Sequence, residues 1–161
     1  MRRAFMLAAA ILLLGGVAGP GQDKQENQTI LFVCEHGSAK SVIAAAHFNR
    51  LAQQKNLPYR AIARGTNPDT EIPQQVRLDL AKDGLDVPTW KPQLVAEKDV
   101  REAARVVTFG CKLPFPKKTT ADKLVDWKDV PSTSEDYKRA RTMIVDKIDA
   151  LIKTLTPKGP N

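Results

Sequence analysis

Ile30-Leu31-Phe32-Val33-Cys34-Glu35-His36-Gly37-Ser38-Ala39-Lys40-Ser41 decides the reading of this chain. Its first four residues form a β-rich, continuously apolar run, as in a strand buried on both faces. From Ser41 to Lys55, Val42, Ala45, Ala46, Phe48 and Leu51 or Ala52 recur at helical spacing. A cysteine therefore stands where a strand ends, a short loop follows, and a helix opens with a cation and a hydroxyl. Backbone N–H groups at a helix N-terminus point at an anion and carry the positive end of the helix dipole. The same field favours a thiolate over a thiol. The pattern suits attack of a sulfur nucleophile on a phosphate-like group.

Outward from this stretch, strand and helix signals alternate. Asn56-Leu57-Pro58 ends the first helix. Tyr59 to Ala63 reads as a second strand, and Gly65-Thr66-Asn67-Pro68 as a turn. Pro73 fits the first turn of a helix that runs to Lys82 and stops near Gly84. Leu85 to Lys91 is irregular, and Asp99 to Ala104 is a short helix. Arg105 to Phe109 is a third buried strand, Gly110 to Thr120 a loop, and Leu124 to Trp127 a fourth strand. Ser134-Glu135-Asp136 signals a helix start. The helix after it carries Tyr137, Ala140, Ile144, Ile148, Leu151 and Leu155 on one face.

This alternation predicts an α/β fold: one doubly wound domain with a central four-stranded parallel sheet flanked by helices. Ligands of such sheets bind beyond the carboxyl ends of the strands. Cys34 directly follows the first strand, Cys111 the third by two residues, and Asp129 the fourth by two. Topology alone puts all three on one edge.

The 161 residues have room for one domain. Arg2 and Arg3, an apolar run from Ala4 to Leu14 and small residues to Gly21 read as a secretory signal peptide over 1–21. That run is too short for a stable membrane span. Residues 22–28 read as a flexible leader, 29–156 as the domain and 157–161 as a tail. The expected location is periplasmic or secreted. Without Arg2 and Arg3, the 25 basic side chains become 23 against 18 acidic ones, a net charge of +5. A positive field suits an anionic substrate. No aromatic–basic array is visible, so nucleic acid is not an expected partner. In an exported protein, the two cysteines Cys34 and Cys111 are consistent with a disulfide, a redox pair or two free thiols.

These residues resemble the low-molecular-weight protein tyrosine phosphatases and the related thioredoxin-coupled arsenate reductases. The shared pattern is strand, Cys-x5-Arg-Ser, helix; here Lys40 stands in the arginine position. Ala63-Arg64-Gly65-Thr66 is similar to the family's turn after the second strand, and Val106 to Cys111 to the strand and cysteine of the reductases. Trp127-Lys128-Asp129-Val130-Pro131 is similar to the late segment bearing the general acid. The resemblance spans about residues 28 to 156 in order.

It implies phosphomonoester hydrolysis through a cysteinyl-phosphate intermediate, on a phosphorylated protein or a small aryl phosphate. Cys34 would be the nucleophile. Backbone N–H groups of Glu35, His36, Gly37, Ser38, Ala39 and Lys40 would bind the phosphoryl oxygens. Ser41 would stabilise the thiolate, and Asp129 would be the general acid, with Asp126 a second candidate. If Pro131 aligns with the family's proline, Val130 takes the acid position. One enzyme alternative is arsenate reduction by Cys34 and Cys111 with an external thiol reductant. A third reading is a weakly catalytic oxyanion-binding or redox-sensing module. None requires a metal or organic cofactor. Lysine keeps the charge at position 40 but not the bidentate fork of arginine. Loss of one such donor costs roughly a hundred- to thousandfold in turnover.

Overall fold

The computed structural model describes residues 28–155. The expected signal peptide, the leader up to residue 27 and the tail lie outside them. Gln28, assigned to the leader from sequence, instead opens the first strand.

Four strands, β1 (Gln28–Cys34), β2 (Tyr59–Gly65), β3 (Arg105–Thr108) and β4 (Leu124–Asp126), form one sheet in the order β2-β1-β3-β4. All three pairings are parallel. The helices are α1 (Lys40–Gln54), α2 (Gln74–Lys82), α3 (Glu97–Glu102), α4 (Lys117–Thr120) and α5 (Tyr137–Leu155). No helix among the described residues is long and apolar enough to cross a membrane.

The continuous apolar run of β1 follows from its central place. Ile30 and Phe32 enter the core under α1, α2 and α5, whereas Leu31 and Val33 face a smaller cluster with Val95, Val100, Ala103 and Val106. Phe32 is the hub of the larger core, with ring centroids 6.1 Å from Phe48 and 5.7 Å from Trp127. Buried aromatics at this spacing stabilise beyond their area alone. The last helix buries Ala140, Ile144, Ile148 and Leu151, the face expected from its periodicity.

Boundaries moved where turn chemistry competed with periodicity. Cys34 is the last residue of β1, paired with Gly65 of β2, rather than the first of a loop. Pro73 is the N-cap of α2 and lies outside the helix. The expected 110–120 loop ends in a turn of helix, α4, which leads into a 3₁₀ turn over Ala121–Lys123. Within the expected start signal of α5, Ser134-Glu135-Asp136, the cap is Asp136: its Oδ1 accepts the Arg139 N–H at 2.9 Å.

Where α1 and α5 meet, they enclose a polar cluster. His47 is fully buried, and its Nε2 lies 3.3 Å from Asp83 but off line for a hydrogen bond. Arg50 reaches His47 Nδ1 at 3.3 Å, and Arg141 grips Asp83 through two nitrogens at 2.9 and 3.1 Å. Burial, helped by the Arg141 charge, lowers the His47 pKa to about 4, so the imidazole is held neutral at physiological pH.

Candidate active site

The loop of residues 35–39 is shaped by what sits under it. Gly37 has φ 61°, a left-handed conformation that glycine adopts without cost. A Cβ on Gly37 would fall 2.7 Å from the Gly65 nitrogen, and one on Gly65 would fall 2.8 Å from the Gly37 nitrogen. Two glycines, one on the loop and one ending β2, therefore allow backbone to rest on backbone.

The segment after β2 then takes up the loop's carbonyls. Thr66 N–H donates to Cys34 O at 3.1 Å, Asn67 N–H to Glu35 O at 2.8 Å, and Asp69 N–H to His36 O at 3.0 Å. By contrast, the N–H groups of residues 35–39 donate to no other backbone group among the described residues. Buried backbone donors seek partners. A run of them with satisfied carbonyls beside it is a nest for an anion.

Cys34 is buried at the base of this nest. Its Sγ lies 3.1 Å from the Oγ of the fully buried Ser41, in the first turn of α1. Lys40 extends toward the late loop, where its Nζ donates to the Val130 carbonyl at 3.3 Å. The ammonium also sits 5.8 Å from the Phe109 ring centroid, a cation–π distance. Lys40 thus bridges the loop and the wall of the site rather than forking across an anion.

A cleft of about 400 Å³ opens over the loop, lined by Cys34, His36, Lys40, Asp69, Cys111 and Ser132 among others. Of the three residues that the sequence assigned to one edge of the sheet, Cys34 and Cys111 face it and Asp129 does not; Lys40 faces it as well. Glu35 lies at its exposed mouth. Cys34 and Cys111 are both free thiols. Cys111 Sγ donates to the Val33 carbonyl at 3.4 Å. Burial raises the Cys111 pKa, and the neighbouring Cys34 and Asp126 push the same way, so this sulfur is held as the thiol.

The expected general acid is placed elsewhere. Asp129 is exposed, pairs with Lys147 of α5 at 2.9 Å and does not line the cleft. The Lys147 hydrogen bond lowers its pKa, the wrong direction for a proton donor. Asp126 accepts from Thr108 Oγ1 at 2.9 Å and Gly110 N–H at 2.8 Å, which ties β4 to the end of β3. Val130 is buried. The late loop contributes Ser132, Thr133 and Ser134 to the cleft, all hydroxyls.

The carboxylate that does line the cleft wall near the loop, Asp69, was not singled out from sequence. It accepts from the Oγ of the buried Ser38 at 2.5 Å, and its other oxygen lies 3.4 Å from His36 Nδ1. The available signal was topological, since Asp69 follows β2 on the same carboxyl edge as Cys34. No group of three or more His, Cys, Asp or Glu side chains among the described residues is arranged to hold a metal ion.

This geometry can be set beside known proteins. No family profile matches the chain. Its backbone does match solved structures. A low-molecular-weight phosphotyrosine phosphatase from Vibrio cholerae superposes with a TM-score of 0.71 at 20% identity, covering 83% of this chain and 99% of that one. The fold is that of the low-molecular-weight protein tyrosine phosphatases. The enzyme of that type from T. tengcongensis gives a TM-score of 0.68 at 21% identity, over 80% of this chain and 99% of its own. A thioredoxin-dependent arsenate reductase from Corynebacterium glutamicum also gives 0.68, at 22% identity, over 86% of this chain and 64% of that one. The low-molecular-weight phosphatase fold thus hosts both chemistries that the resemblance implied.

Proposed function

We propose that the protein is a phosphomonoesterase that works through a cysteinyl-phosphate intermediate. The observation that supports this reading is a loop, residues 35–39, whose N–H groups have no backbone acceptor among the described residues, next to a buried cysteine whose sulfur meets the Ser41 hydroxyl. The nest binds the three non-bridging oxygens of a phosphate monoester. The Cys34 thiolate attacks phosphorus from below, the P–O bond to the leaving group breaks, and a P–S bond forms. Ser41 Oγ hydrogen-bonds the sulfur, stabilising it as nucleophile and later as leaving group. Lys40 supplies positive charge at the cleft without the in-plane fork of arginine. Water then displaces the thiolate and releases inorganic phosphate.

A specific observation keeps arsenate reduction as the second reading: Cys111 lines the same cleft as Cys34. Its burial disfavours the thiolate that a resolving cysteine needs, so hydrolysis stands first. Export is part of the proposal and rests on Arg2, Arg3 and the apolar run that follows. Phosphorylated proteins or small phosphate esters reached outside the cytoplasm are the substrates this implies.

The test is hydrolysis of an aryl phosphate by the reduced protein. Cys34→Ser is expected to lower turnover by roughly 10⁴-fold or more, as loss of a covalent nucleophile does. Cys111→Ala is expected to leave hydrolysis intact. Arsenate reduction that depends on Cys111, without Cys34-dependent hydrolysis, would replace the first reading with the second.

A further inference from the structure

We infer that His36, clamped by Asp69, is the proton-transfer group of this cleft, in place of a late-loop carboxylate. The inference rests on the phosphatase reading above and adds the acid that reading lacks.

Three observations carry it. The late loop brings hydroxyls but no carboxylate to the cleft: Asp129 pairs with Lys147, and Asp126, at the end of β4, accepts from Thr108 and Gly110. Asp69 meets His36 twice: its backbone N–H donates to the His36 carbonyl at 3.0 Å, and its carboxylate stands at an ion-pair distance of 3.4 Å from His36 Nδ1. His36 lines the cleft together with Cys34, is 56% exposed, and has no protein hydrogen bond at Nε2 among the described residues. A carboxylate on one ring nitrogen fixes the tautomer and ring orientation and leaves the other nitrogen for chemistry.

The rival donors on the cleft are weaker. Both oxygens of Asp69 are engaged, by Ser38 and by His36, so its role is to position. Glu35 lines the mouth with no side-chain partner to hold it among the described residues, and a general acid must be held within reach of the atom it protonates.

The step balances. Cys34 sulfur forms the P–S bond as the P–O bond to the leaving group breaks, and His36 Nε2–H gives its proton to the departing oxygen. In the second half, neutral His36 takes a proton from water as that water attacks phosphorus. The P–S bond breaks, Cys34 leaves as thiolate, and phosphate departs. The imidazolium is restored.

A graded series of aryl phosphates tests this: phenyl, 4-nitrophenyl and 2,4-dinitrophenyl phosphate. A leaving group that needs protonation loses most when the acid is removed. His36→Gln is expected to cut turnover of phenyl phosphate about 10²- to 10⁴-fold. Its effect on 2,4-dinitrophenyl phosphate should be under about tenfold, since that phenolate leaves unaided. Asp69→Asn should shift the series in the same sense but less. Glu35→Gln should leave the leaving-group dependence unchanged. Inorganic phosphate inhibition, measured on each variant, reports whether the nest is intact. Equal losses across the series with phosphate binding retained, or a steepened series in Glu35→Gln instead, would overturn the inference while the phosphatase reading stands. Absence of any Cys34-dependent hydrolysis in the wild type would overturn both.

Discussion

The two loops that meet at the cleft are built on different principles. The loop over 35–39 is fixed by backbone: a left-handed Gly37, its contact with Gly65, and three carbonyls claimed by residues 66–69. The late loop after β4 is defined by side chains: Asp129 turns toward Lys147 of α5, and Asp126, the last residue of β4, toward Thr108 of β3. The first loop therefore offers an anion site almost independent of side-chain identity. The second leaves proton transfer to be supplied from somewhere else. On the function proposed above, binding and proton transfer are separable, and each can be tested alone.

Breaking the first loop should have the largest effect. Gly37→Ala must place a Cβ against the Gly65 backbone in a left-handed conformation. The conformational cost alone is about 1–2 kcal/mol, and the clash adds to it. A lowered Tm together with loss of inhibition by inorganic phosphate is expected. Unchanged phosphate binding would mean that the nest does not depend on this backbone contact.

Lys40→Arg sharpens the comparison in the other direction. Arginine can satisfy the Val130 carbonyl or fork onto phosphoryl oxygens, and lysine cannot do the latter. A gain of about tenfold or more in aryl phosphate turnover is expected, bounded by the roughly hundred- to thousandfold worth of such a donor. No gain would show that the site's cation is matched to a different anion geometry.

A pH effect separates fold from chemistry. His47 is depressed to about 4 in the folded state, against an ordinary value near 6.5. The unfolded chain therefore binds more protons between these values, and stability falls as pH drops through that window. The full loss is on the order of a few kcal/mol. Thermal melts at pH 7 and pH 4.5 should show this fall, and His47→Leu should flatten it. A wild-type Tm independent of pH there would contradict the buried neutral imidazole.

The smallest expected effect is at the residue that sequence favoured as the acid. Asp129→Asn should leave turnover within about twofold, because its partner is Lys147 and not the substrate. A loss in the range of about 10²- to 10⁴-fold would return the acid role to the late loop.

The contrast between the loops also marks what sequence could carry. The strand, Cys34, the loop and the helix start were legible because apolar runs, helical spacing and glycine report backbone directly. The sheet edge that gathers Cys34 and Cys111 followed from alternation alone. Asp129 was misplaced because nearness in sequence to a strand end does not fix side-chain direction, and Lys147 lies a helix away. Asp69 was overlooked for a related reason: its partners, Ser38 and His36, come from a different part of the chain and meet it only once β2 lies beside β1.

The central claim is that Cys34 carries the phosphoryl group. It is tested most directly by acid-quenching the protein during turnover of an aryl phosphate and mapping the modified residue by mass spectrometry. One phosphoryl group is expected on Cys34, and none in Cys34→Ser. Turnover with no adduct on Cys34, or an adduct at another residue, would contradict it.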